Sequence, residues 1–122
     1  MKKMLVVAFV LLAGAPAFAQ HVHQKGPNGG PLEDVAGVHL EMLASGRSLT
    51  FNIFDEANKP VSGKGFSGSA MVASGNERET LPLVVADNAL KADAKKDIAP
   101  GSIVSITLKT ADGKSGQAKF KK

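Results

Sequence analysis

The chain has no cysteine, no tryptophan and no tyrosine. Without cysteine there are no disulfides to brace a small exported domain and no thiol to carry a lipid anchor, so the fold is held by packing alone. Without tryptophan and tyrosine the surface lacks the side chains that carbohydrate grooves and tight protein hot spots lean on. One-signed charge is also scarce. The 122 residues carry 15 basic and 11 acidic side chains. Two of the basic ones, Lys2 and Lys3, lie in a segment expected to be removed, leaving a charge of about +2, too weak for nucleic-acid binding. A long apolar run is missing too. The run Leu5–Leu12 is too short to span a bilayer as a permanent helix.

What is present at the start of the chain is a secretory signal. Met1-Lys2-Lys3-Met4 is basic, Leu5–Leu12 is apolar, and Ala17-Phe18-Ala19 puts small residues at the positions read by signal peptidase. The expected boundaries are a signal peptide over 1–19, a His-, Gly- and Pro-rich flexible leader over 20–34, and one folded domain over 35–122. The location implied is periplasmic or secreted. The processed chain of 103 residues is one domain, large enough for a modest core.

The leader carries Gly26-Pro27-Asn28-Gly29-Gly30-Pro31, which reads as a turn or tether rather than an element. From residue 35 onward the apolar period becomes two. Val38, Leu40 and Met42 alternate with His39 and Glu41, Leu49-Phe51-Ile53 follow after the turn Ser45–Ser48, and further strands are expected over about Ser67–Ala73 and Glu79–Val85. Pro82 marks the latter as an edge strand. Ala89–Ala92 reads as a weak strand, with a short helix over Asn88–Lys96 as the alternative. Val104-Ile106-Leu108 and Ala118-Phe120 complete the set, joined through Asp112-Gly113, a type I′ turn signal. Lys119, Lys121 and Lys122 read as a solvated tail. About seven short strands in about 100 residues predict an all-β fold, a single antiparallel β-sandwich of immunoglobulin-like type, with a small β-barrel as the rival.

Three histidines exist, all within the first 39 residues: His21, His23 and His39. Alternation puts His39 and Glu41 opposite the apolar set Val38-Leu40-Met42, on the solvent side of their strand. A leader turned back at Pro27–Gly30 would bring His21, His23, His39 and Glu41 together. Imidazole suits Cu, Zn, Ni or Co, and a carboxylate can complete a four-coordinate shell. Met42 lies on the apolar side and reads as core.

Enzymatic signals are missing. Gly63-Lys64-Gly65-Phe66-Ser67-Gly68 matches the dinucleotide fingerprint by letter, but a strand follows where a helix must start. The sequence has no Gly-x-Ser-x-Gly elbow. Glu33-Asp34 is a poor carboxylate pair, because neighbours in an extended chain point apart. The chain is not expected to be an enzyme or to need an organic cofactor.

His21-Val22-His23, Gly26-Pro27-Asn28-Gly29-Gly30, Asp34 and Val38-His39-Leu40-Glu41 together resemble the N-terminal segment of periplasmic adaptor subunits of heavy-metal efflux pumps. They also resemble short periplasmic proteins that consist of this β-domain alone. Phe54-Asp55 through Lys59-Pro60-Val61 is similar to the strand-to-loop segment of the same domain. The likeness covers about the first half of the processed chain. It does not extend to an adaptor's helical hairpin, lipoyl-like domain or barrel, which 103 residues cannot hold. It implies a heavy-metal context, with a metal-efflux or other envelope protein as partner and His21, His23, His39 and Glu41 as the positions of interest. The expectation is thus an exported protein that binds a transition-metal ion for buffering, delivery or sensing. The alternative is a non-enzymatic structural or protein-interaction module of the cell envelope.

Overall fold

The computed structural model describes residues 24–122. The signal segment and the leader positions His21 and His23 lie outside the described residues. The described chain forms nine strands and no helix: β1 (Leu32–Val35), β2 (Val38–Ser45), β3 (Ser48–Phe54), β4 (Ser67–Ser74), β5 (Glu77–Pro82), β6 (Val84–Ala86), β7 (Ala89–Asp93), β8 (Ile103–Lys109) and β9 (Ser115–Lys121). All pairings are antiparallel. One sheet has the order β1-β2-β3-β7-β6 and the other β5-β4-β8-β9. The sheets do not close on one another, so the barrel is ruled out. With β1 set aside, β2-β3-β7-β6 facing β5-β4-β8-β9 is the A-B-E-D and C′-C-F-G strand order of an immunoglobulin-like sandwich.

The period-two pattern produces this architecture because each strand has one apolar side to hide. Leu40, Met42, Leu49, Phe51, Ile53 and Leu90 point inward from one sheet, and Ala70, Leu81, Val104, Ile106, Leu108 and Phe120 from the other. Phe51 and Phe120 meet across the interface with ring centroids 5.5 Å apart and planes tilted by 57°. Each fully buried side chain of this size contributes about 1.5–3 kcal/mol.

Nine strands replace the expected seven for two reasons. First, the residues read as tether fold. Leu32–Val35 pairs with β2 through a turn in which Ala36 (φ 53°) and Gly37 (φ 87°) both take left-handed backbone. Alanine does not announce such a turn, so the hairpin is hidden in the sequence. Second, the strand expected over Glu79–Val85 breaks at Leu83. Its first part stays at the edge beside β4, where Pro82 lacks no needed partner, and its second part crosses to pair with β7. The helical alternative over Asn88–Lys96 is not adopted, because Ala89–Asp93 pairs with both β3 and β6. The Asp112-Gly113 turn is not type I′: only Gly113 (φ 89°) is left-handed. Lys119 and Lys121 are not a tail but lie within β9.

No helix among the described residues is long and apolar enough to cross a membrane.

Candidate functional site

The site begins with the Gly-Pro-rich segment. Lys25 bridges Pro31, the Gly26 N–H donates to the Gly30 carbonyl at 2.8 Å, and the Leu32 N–H donates to Gln24 at 2.9 Å. The Met42 N–H donates to the Pro31 carbonyl at 3.0 Å, fixing the segment to β2. Residues 24–31 are therefore a small turn folded over the outer side of β2.

That turn changes the reading of Glu41. Alternation does place Glu41 opposite the core, but its relative exposure is 0%. The covering turn removes it from water. Its carboxylate accepts the Asn28 N–H at 2.7 Å and the Gly30 N–H at 3.0 Å on Oε2, and the Asn28 side-chain amide at 2.9 Å on Oε1. Asn52 on β3 adds a long contact of 3.5 Å. Burial by itself pushes the carboxyl up, but the bonds from Asn28, Gly30 and Asn52 together hold it below the usual glutamate value. The glycines permit this closeness. A Cβ at Gly26 would stand 2.5 Å from the Glu41 Cδ, and one at Gly30 would stand 2.2 Å from the Met42 carbonyl oxygen. Glu41 is thus a structural carboxylate with its lone pairs occupied. It does not stand on the solvent side as expected and is not open to an ion.

His39 is only half-buried, not solvent-facing. Register places it directly opposite Asp34, and its Nε2 lies 3.2 Å from Asp34 Oδ1. The His39 side chain is 21% exposed and Asp34 is 82% exposed. His39 Nδ1 is buried and has no hydrogen-bond partner among the described residues. Such an atom is rare, because a buried polar group without a partner carries a desolvation cost. Asp55 is nearby at the end of β3. Its carboxylate accepts the Ala57 and Lys59 N–H groups at 2.8 and 3.0 Å. The Lys59 bond does most to hold it below the usual aspartate value, with weaker contributions from the Ala57 bond and from Lys59 and His39 as neighbours.

His39 lines a shallow cavity of about 490 Å³ whose other walls are Gln24–Pro27, Leu32 and Asn58. Gln24 is the residue that follows His23 in the chain. Gln24, the first described residue, thus shares a cavity wall with His39. Asp34 is the carboxylate that sequence reasoning missed. Asp34 and His39 are symmetric about Ala36-Gly37, and the signal that finds them is a cross-strand pair around a two-residue turn.

His39 Nε2 and Asp34 Oδ1 form a two-donor pair. Two ligands held about 2.0–2.2 Å from one tetrahedral ion stand about 3.3–3.6 Å apart, slightly more than the separation seen. Among the described residues no cluster of three His, Cys, Asp or Glu side chains is formed. Comparison with protein-family models, with curated proteins and with solved structures finds no match to this chain.

Proposed function

We propose that this protein is exported and binds one transition-metal ion, Cu, Zn, Ni or Co, for buffering, delivery or sensing, without catalysis. The ligands in this reading are His39 and Asp34 on the β1–β2 hairpin together with His21 and His23 from the leader. Glu41 leaves the ligand set and becomes the post to which the leader turn is fastened. The reading rests on the Asp34–His39 pair, 3.2 Å apart, with His39 in the wall of a cavity that Gln24 also lines. Imidazole and carboxylate together suit borderline divalent ions.

The test is calorimetric titration of Cu²⁺, Zn²⁺, Ni²⁺ and Co²⁺ into the chain from Gln20 onward. One binding event per chain is expected. Both His39→Ala and the double variant His21→Ala/His23→Ala should weaken it at least about tenfold. Equal heats in all three forms would place the ion elsewhere and end this reading.

A second reading has its own observation. β6 is an edge strand whose Val84 and Val85 are 63% and 40% exposed. An apolar edge of this kind accepts an added strand from a partner, which is the interaction-module alternative. No heat from any of the four metals would favour it.

A further inference from the structure

The core residues of β4, β5, β8 and β9 fix which side chains point outward from that sheet. The outward set includes Arg78, Lys109, Lys119 and Lys121 and contains no carboxylate. All four cations are exposed, and none makes an ion pair with a described carboxylate. Between them Ser69, Thr80, Ser105, Thr107 and Gln117 line a shallow concavity of about 650 Å³. The outer side of the other sheet is mixed: Asp34 and Asp93 are exposed there with Lys91, and Lys25 is exposed on the turn that covers it. A small net charge thus conceals one sheet face with four cations and no carboxylate. Edge protection accounts for lysines on β9. It accounts for Arg78 on the other edge strand, β5, as well, but not for Lys109 on the interior strand β8.

We infer that the outer face of β5-β4-β8-β9 docks on an anionic phospholipid surface. Four cations spread over one sheet face match an extended array of negative headgroups. The hydroxyls and amides between them donate to phosphate oxygens. A protein partner is a poorer fit, because the chain holds no tryptophan or tyrosine to anchor a hot spot. His39 and Asp34 stand on the opposite face, so docking leaves their cavity open to water. The inference is independent of metal binding.

The test is co-sedimentation of the chain from Gln20 onward, which holds the whole sandwich, with vesicles of phosphatidylcholine alone or mixed with phosphatidylglycerol. Binding is expected only to the mixed vesicles and should weaken with added salt. Lys119→Gln/Lys121→Gln should lower partitioning about 25-fold, about fivefold for each cation lost. Lys91→Gln/Lys95→Gln changes the net charge equally and should leave partitioning within about twofold, since neither residue lies on this face. Circular dichroism checks that both variants keep their strands. Equal loss in the two variants, equal binding to both vesicles, or no binding to the mixed vesicles at low salt would overturn the proposal. Retention on polyglutamate without vesicle binding would overturn it in favour of an acidic protein partner.

Discussion

Asn28 and Glu41, thirteen residues apart, are joined twice: the Asn28 N–H lies 2.7 Å from Glu41 Oε2 and the Asn28 side-chain amide lies 2.9 Å from Oε1. With the Gly30 N–H at 3.0 Å, three donors converge on one carboxylate that has no contact with water. Charge-assisted bonds of this kind are stronger than neutral ones, and removing the acceptor strands the donors. Glu41→Ala is therefore expected to destabilise the fold by about 2–4 kcal/mol, and Glu41→Gln, which keeps the shape, by about half as much. Urea unfolding of each variant gives the comparison. A loss under about 0.5 kcal/mol for Glu41→Ala would mean that the turn is not held by this residue.

The same clasp makes stability depend on pH. The Glu41 carboxyl is held below its ordinary value in the folded state, so the folded protein favours the ionised form. Its contribution is complete above the ordinary glutamate value of about 4.3 and is lost as pH falls through the lower folded value. Wild type should lose stability over that acid window more steeply than Glu41→Gln. Urea midpoints from pH 6 down to pH 3, about the range over which glutamates titrate, test this. Parallel curves for the two proteins would refute it.

Glycine is required at Gly26 and Gly30 by space, and at Gly29 by backbone angle alone. Gly29 has φ 86° and nothing within 4 Å of a Cβ position. Gly29→Ala should cost about 1 kcal/mol from the left-handed backbone alone. Gly26→Ala and Gly30→Ala collide with Glu41 and with the β2 backbone, and should release the turn. The readout is hydrogen exchange at the Asn28 and Gly30 amides. Exchange should accelerate strongly for the two crowded positions and little for Gly29→Ala.

His39 contributes little to the stability of the metal-free fold. Its Nδ1 is buried without a partner among the described residues, and its bond to the exposed Asp34 is worth little. His39→Leu should match or exceed the wild type in stability without metal, because replacing a half-satisfied polar group by an apolar one of similar size is close to neutral or better. The same variant should lose the metal affinity. Affinity of the wild type should also fall as pH drops through about 6.5, since imidazole ligands must be neutral to bind. Thermal melts and titrations of the one variant test both halves. A loss above about 1 kcal/mol would show that the buried nitrogen is satisfied.

The core provides the reference. Ile106 is 1% exposed at the centre of β8, and Ile106→Ala should cost about 2–5 kcal/mol in a urea melt through the cavity it leaves.

The sequence by itself determined what alternation can determine. Phe51, Val104 and Ile106 were legible as core, Pro82 as an edge residue and the whole as a β-sandwich, because burying one side of a strand imposes a period of two within the segment. Tertiary structure decided the rest. Glu41 has the sequence position of an exposed residue and is fully buried, because a turn 11–13 residues earlier folds over its face. Asp34 joined His39 only through a turn built on Ala36, whose left-handed backbone no composition rule predicts. The cationic sheet face, too, arises only when β5, β4, β8 and β9 are laid side by side. Period is a property of neighbours along the chain, whereas covering and charge sorting are properties of segments that meet only after folding.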